Sequence, residues 1–389
     1  MSDVTRDGSP VDMYTRMPTF GEPEIVHEAI PAGAEILELG SGAGRMTHRL
    51  LELGHPVTAV DNSAEMLAHV RGAEAVLSDI EGLDLGRRFA CVLLASHLID
   101  TDESERTPFL EACVRHVARD GVVLFQRYDP AWAADPQPID SDRGGVRIRV
   151  IDPRREGRLL TATSEYEVDG RTWRQGPYTA TIIDDDELAR RLNMSGLRLE
   201  RWLDERRTWL AATPLPDTSA LYVEVPAAEP VVAAYRMTYD PAAAAGIPAH
   251  VTVLYPFLAP DEIDAGVSDR LRAICGGIAP IVVRFERVGR FPDVAWLAPE
   301  PVAPFRALTD AVAEAWPDHP PYGGAFEEVV HHLTIADGAP DEVLDSIARD
   351  VAASLPLVQR VDSATLAARR SGTWSVLERY TLGTIADDA

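Results

Sequence analysis

The stretch Glu38-Leu39-Gly40-Ser41-Gly42-Ala43-Gly44 has the residue types to hold a nucleotide-like ligand. It follows a short apolar run, Ala34 to Leu37, and leads into Met46 to Leu53, which reads as a helix. A strand, a glycine-rich turn and a helix form such a cradle, because glycine permits the tight turn and lets a ligand approach the backbone. A dinucleotide fingerprint needs another glycine three residues after Gly42, and Arg45 stands there instead. Val57 to Asp61 is a β-branched run that ends in an acid. A carboxylate at that point suits the two ribose hydroxyls of an adenosine-bearing ligand. Asp79 ends a third run, Ala75 to Ile80, where it could accept from an adenine amino group while Ile80 packs on the ring.

The second half carries another set. His250-Val251-Thr252 and His332-Leu333-Thr334 both lie in apolar, β-rich runs. Strands repeat every two residues, so each histidine shares a face with its threonine. His331 and His332 point to opposite faces for the same reason and cannot chelate one ion, so no metal site is assigned and His331 reads as structural. In the first half, His97 follows the fourth predicted strand, Phe89 to Ala95. It is either a general base for a hydroxyl or amine acceptor or a histidine packed beside the cofactor. His48, His55 and His69 lie on or beside helices and read as structural.

The elements that must position these residues fall into two sets. From Glu22 to Gln126 strands and helices alternate, with a helix over Pro108 to Ala118 and a fifth strand over Gly121 to Gln126, which predicts a doubly wound parallel sheet. Residues 146–182 alternate apolar and polar side chains between turns and predict an antiparallel insertion, the kind of segment that shapes an acceptor pocket. Val11 to Tyr14 reads either as a lid over the cofactor or as an ordinary N-terminal arm. Thr213-Pro214-Leu215-Pro216-Asp217-Thr218-Ser219 reads as a linker. The expected organisation is therefore a first domain over 1–212, a linker over 213–219 and a second domain over 220–389.

Composition narrows the function. The 389 residues carry a formal charge of −25, shared evenly between the halves, so neither half is a general polyanion binder. A nucleic-acid substrate would have to be held locally, at an end or a loop. All 37 basic residues are arginine, which excludes a lysine nucleophile or an adenylated lysine. The three cysteines, Cys91, Cys113 and Cys275, form neither a disulfide framework nor a zinc motif. The N-terminus has no basic region followed by an apolar one, and no apolar run approaches ~20 residues, so the expectation is a cytoplasmic protein without a membrane partner. The sequence leaves oligomeric state open.

Glu38, Gly40, Gly42, Gly44, Asp61, Asp79 and the strand–helix order together resemble a class I S-adenosylmethionine-dependent methyltransferase over roughly residues 20–210. The resemblance implies S-adenosyl-L-methionine as cofactor, with Ser41 and Ile80 in the same binding set. The base-amino methyltransferase signature is missing after the fourth strand. The two His-x-Thr motifs, the first within His-Val-Thr-Val-Leu-Tyr-Pro-Phe, resemble the 2H phosphoesterases, the superfamily of 2′-5′ RNA ligase-like proteins and cyclic phosphodiesterases, over roughly 218–385. That resemblance implies a bilobal α+β domain with one motif per lobe at a shared cleft. His250 and His332 would exchange protons with the attacking and leaving oxygens, and Thr252 and Thr334 would donate to the non-bridging oxygens. The expectation is a Rossmann-like methyltransferase sheet with an antiparallel insertion, fused to a metal-independent phosphodiesterase. Its substrate would be a nucleotide or RNA end with a 2′,3′-cyclic phosphate or 2′-5′ linkage. A tailoring methyltransferase with a phosphoesterase acting on a phosphorylated small molecule, and an RNA-end binding module, are the alternative readings.

Overall fold

The computed structural model describes residues 5, 8–326, 328–370 and 373–383; the outer ends of the two expected domains, 1–4 and 384–389, lie outside these. The chain divides into two compact units between Pro214 and Leu215. No helix among the described residues is long and apolar enough to cross a membrane.

The first unit contains β1 (Ile36–Leu39), β2 (Val57–Asp61), β3 (Glu74–Leu77), β4 (Phe89–Leu94) and β5 (Val117–Gln126). Next come β6 (Ile139–Arg143), β7 (Val146–Glu156), β8 (Leu159–Val168) and β9 (Arg171–Thr181), and then β10 (Leu197–Trp202) and β11 (Trp209–Pro214). A seven-stranded sheet runs in the order β10-β11-β5-β4-β1-β2-β3. Its β1 to β5 portion is parallel, and β11 and β10 are added antiparallel. Leu37 and Leu39 face one core with Phe109 and Leu110 of helix Glu103–His116, while Ile36 faces the other with Met46 and Leu50 of helix Arg45–Glu52. Apolar residues on both faces of the central strands are what a sheet covered by helices on two sides requires. Strand order reverses at β1, which places a crevice at the carboxyl ends of β1 and its neighbours.

Several boundaries differ from the sequence reading, among them β3, which ends at Leu77 and leaves Asp79 and Ile80 in the loop after it. Helix Glu103–His116 starts five residues before Pro108, because the Asp102 side chain caps it by accepting from the Ser104 N–H at 2.8 Å. Strand β5 starts at Val117, its first half masked in the sequence by Arg119 and Asp120. The insertion is a four-stranded sheet, β6-β7-β8-β9, rather than three strands; β6 is an edge strand whose residues after Ile139 are all polar, so its sequence carries no apolar alternation.

The second unit contains β12 (Thr218–Glu224), β13 (His250–Leu254), β14 (Ile281–Phe291) and β15 (Val294–Glu300), followed by β16 (Leu333–Asp337), β17 (Leu357–Val361), β18 (Ser363–Arg370) and β19 (Thr373–Thr381). They form two antiparallel sheets, β13-β12-β18-β19 and β16-β15-β14-β17. One core joins them: Leu221, Val251 and Leu366 from the first sheet meet Val283, Leu297 and Ile335 from the second. The stretch between β11 and β12 is only Leu215 to Asp217, because Thr213 and Pro214 end one strand and Thr218 and Ser219 begin the next.

Candidate functional site

In the first unit a cavity of about 440 Å³ opens at the end of β1. Gly40, Gly42, Asp61, Asp79 and Ile80 line it, as does Tyr14. Gly40 and Gly42 have φ of 75° and 58°, which disfavour any other residue. A Cβ on Gly40 would lie 2.7 Å from Leu98 Cδ1, whereas one on Gly42 would meet nothing within 4 Å. Asp61 ties the turn to β2: its Oδ2 accepts from the Gly42 N–H at 2.8 Å and its Oδ1 from the Ser63 N–H at 2.9 Å. Asn62 donates to Asp79 Oδ1 at 3.0 Å.

Three residues expected in the cofactor set stand behind this cavity instead of lining it. Glu38 shares a face with Ile36, so it points under helix Arg45–Glu52, where Thr47 Oγ1 donates to it at 2.5 Å. Burial pushes its carboxyl up to about 7. Ser41 is buried, and Gly44, with φ of 84°, is the N-cap of the same helix.

His97 also stands beside the cavity. Ser96 and His97 both have left-handed φ, 55° and 63°, which turns the imidazole onto Tyr128, stacked at 4.1 Å between ring centroids. Burial pushes it down to about 4, so it is neutral near pH 7. Tyr178 of β9 lies parallel to Tyr128 at 6.4 Å, and Gln175 of the same strand lines the cavity. The insertion therefore reaches the cavity wall. The N-terminal arm reaches it too: Val11 packs on Ala43 and Met66, and the Tyr14 hydroxyl donates to Gln175 Oε1 at 3.4 Å.

In the second unit, β13 and β16 are the edge strands of the two sheets and lie side by side. Val251 and Val253 are buried and alternate with the half-buried His250 and Thr252, and Leu333 is buried between the half-buried His332 and Thr334. His332 itself lies one residue ahead of β16, yet the alternation holds. The two imidazoles are held alike. His250 Nδ1 lies 2.8 Å from the Pro248 carbonyl and His332 Nδ1 lies 2.7 Å from the Val330 carbonyl. A carbonyl only accepts, so each Nδ1 carries a proton and each Nε2 is left to exchange one. Burial pushes His250 down to about 4 and lowers His332 as well. The charge of His332 acts on His250.

Residues that no motif announced complete the surroundings. Tyr222 stands 5.0 Å from the His250 ring. Phe291 and Trp296 stand 5.3 and 5.9 Å from that of His332. Thr252 hydrogen-bonds the phenol of Tyr322, which sits in a loop with φ of 53°. His331 is buried on the opposite side, 2.9 Å from Thr309 Oγ1, whose one proton goes to the Val253 carbonyl at 2.8 Å, so Thr309 accepts from His331 and the contacts are structural.

Trp296 lies across Gly289, where an added Cβ would stand 2.4 Å from the indole. Gly289→Ala is therefore expected to displace Trp296 and cost about 1–3 kcal/mol, the usual penalty of overpacking. Chemical denaturation followed by tryptophan fluorescence measures it; a variant as stable as the wild type would mean that the ring moves freely.

Comparison with known proteins follows the same division. The "Methyltransferase domain" family model matches residues 36–121, and that of the "2'-5' RNA ligase superfamily" matches residues 223–373. The chain thus contains a methyltransferase domain followed by a 2′-5′ RNA ligase superfamily domain. The uncharacterized methyltransferase Rv3342 of Mycobacterium tuberculosis is 33% identical over 154 residues, 38% of this chain and 63% of that protein. The uncharacterized methyltransferase Mb3374 of Mycobacterium bovis matches equally. The chain spans 63% of the length of these curated relatives. Among solved structures, an S-adenosylmethionine-dependent methyltransferase from Clostridium acetobutylicum is 14% identical with a TM-score of 0.43, covering 52% of this chain and 94% of that one. DesVI of Streptomyces venezuelae is 19% identical with a TM-score of 0.42, covering 50% and 91%.

Proposed function

We propose that the protein is a bifunctional enzyme, with methyl transfer in the first unit and metal-independent phosphodiester chemistry in the second. The observation that carries the second activity is the matched pair His250 and His332, each with Nδ1–H tied to a carbonyl and Nε2 free to exchange a proton. The phosphodiester is a 2′,3′-cyclic phosphate or 2′-5′ linkage on a nucleotide or RNA end. One histidine accepts a proton from the attacking oxygen and the other donates one to the leaving oxygen. Thr252 and Thr334 donate to the non-bridging oxygens, where negative charge accumulates.

For the first unit, the backbone of Gly40 and Gly42, with Asp61, Asp79 and Ile80, would hold S-adenosylmethionine in the cavity. The open space before Gly42 and the carboxylate of Asp61 at the rim fit an adenosine-bearing ligand. Bound there, the cofactor supplies an activated methyl group. Glu38 acts from behind, holding the turn through Thr47, and His97 helps shape the acceptor side through Tyr128.

The test is an assay of the whole chain on nucleoside 2′,3′-cyclic phosphates, 2′-5′ dinucleotides and cyclic-phosphate-ended RNA with EDTA present, beside calorimetry with S-adenosylmethionine. Turnover that disappears with EDTA would defeat the phosphodiesterase reading. Binding of NAD in place of S-adenosylmethionine would defeat the other. Mass spectrometry of cell RNA and metabolites incubated with methyl-labelled S-adenosylmethionine then identifies the acceptor.

A further inference from the structure

The two histidines of the second unit are held alike but stand in unlike charge surroundings. Helix Glu229–Tyr239 joins β12 to β13 and packs against β16. In its last turn Arg236 is only 1% exposed. Its Nε donates to Asp240 Oδ2 at 2.9 Å, and NH2 lies 2.8 Å from the same oxygen. NH1 lies 4.0 Å from Glu229 Oε1. Both acids also hold backbone: the Ala249 N–H donates to Glu229 Oε1 at 2.5 Å and the Ala242 N–H to Asp240 Oδ1 at 2.9 Å. Ala249 immediately precedes His250. The guanidinium thus bridges the start of the helix and the segment that delivers the first histidine.

Stability alone does not call for an arginine here. A buried ion pair can commonly be exchanged for apolar side chains with no loss, and Val232, one turn earlier on the same helix face, is fully buried. The charges that reach the histidines are specific. Arg236 acts on His250 and disfavours its protonation, while Asp240 favours protonation of both His250 and His332. Among the remaining groups, Glu224 stands opposite His250 in register and is paired with Arg379, and Tyr222 faces the same ring. The rings packed against His332 are Phe291 and Trp296, which carry no charge.

We propose that Arg236 is a positioning residue for the phosphodiester site: through Glu229 it fixes the chain entering His250, and its charge acts on that histidine, so that His250 takes a proton and His332 gives one. The proposal rests on the phosphodiesterase reading above. In hydrolysis of a 2′,3′-cyclic phosphate, the oxygen of water bonds to phosphorus as its proton passes to His250 Nε2. The bond from phosphorus to one ribose oxygen breaks, and that oxygen receives the Nε2 proton of His332 in its imidazolium form. The product is a phosphomonoester, with one proton gained by His250 and one lost by His332.

The test reads the histidines directly and needs no substrate. The full chain is labelled at histidine Cε1, and the signals of His250 and His332, among ten histidines, are assigned with His250→Gln and His332→Gln. Arg236→Met is expected to raise the titration midpoint of His250 and leave that of His332 in place, and Arg236→Lys to restore the His250 midpoint. Asp240→Asn is expected to lower both. In the cyclic phosphate assay, the acid limb of the rate profile moves to higher pH in Arg236→Met, because the base form of His250 is then lost sooner on acidification. Equal shifts at both histidines, or none, would overturn the proposal. If Arg236→Met does not fold, Asp240→Asn decides by the same spectra; if neither folds, the pair is structural and the proposal falls. A wild-type protein inactive on every phosphodiester, with the asymmetric titration intact, would sink the phosphodiesterase reading and leave the charge arrangement standing.

Discussion

Replacing His250 or His332 with alanine is expected to slow cleavage of a 2′,3′-cyclic phosphate by about 10²- to 10⁴-fold, the range for a positioned general acid or base. Each imidazole has one nitrogen committed to a carbonyl, Pro248 for His250 and Val330 for His332, so Nε2 is the only ring atom left for proton transfer. Alanine removes that atom and nothing on the same strand face replaces it. Thr252→Ala and Thr334→Ala are expected to cost less, because the remaining donors to the phosphoryl oxygens persist. The pH profile carries a second mark. Burial pushes His250 down to about 4, so as a base it stays unprotonated throughout the neutral range and loses activity only as pH falls toward that value. Steady-state rates of the single variants and the double variant, measured with EDTA, decide the matter. A double variant that keeps wild-type turnover would remove both histidines from the chemistry.

Asp61→Ala is expected to weaken S-adenosylmethionine binding by about 1–3 kcal/mol, the cost of leaving polar partners unpaired, which is about fivefold to 150-fold in affinity. The carboxylate does two jobs in the fold. Its oxygens accept from the amides of Gly42 and Ser63, and it stands at the cavity rim where ribose hydroxyls would lie. Alanine frees both amides and loosens the turn that Gly40 and Gly42 form. Asp61→Asn keeps one acceptor oxygen and is expected to fall between the two. Titration calorimetry on the folded variants measures the loss. Unchanged affinity in Asp61→Ala would show that the ligand does not use this end of β2.

Much of the site was legible because its signals are local. A glycine at φ of 75° leaves its mark in the chain as Gly40, and an acid ending a β-branched strand as Asp61. His-x-Thr places two side chains on one strand face wherever the strand is put, and the burial alternation around His250 and His332 follows that period. The strand period likewise puts His331 and His332 on opposite faces, and His331 makes a buried contact with Thr309. Legibility ended where a side chain's role depends on a partner far along the chain. Glu38 belongs to the glycine turn in sequence, yet the pleat turns it toward Thr47 and away from the cavity. His97 follows a strand end like a general base, yet its left-handed backbone lays it on Tyr128. Trp296 pairs with Gly289 only once β14 and β15 are in register. Helix Glu229–Tyr239 escaped the sequence reading because Pro230 and a run of small residues blur its apolar stripe, and Arg236 was hidden with it.

The amino-acid sequence by itself determined the two-part organisation, the nucleotide-type cradle and the two His-x-Thr pairs, because strand period, glycine backbone freedom and the reach of a single turn all act within a few residues. Only the tertiary structure decided which of those residues share a cavity, which nitrogen of each histidine is free, and which charges stand beside them. Those properties depend on distances between segments tens of residues apart, set by how the sheets pack and by what that packing removes from water.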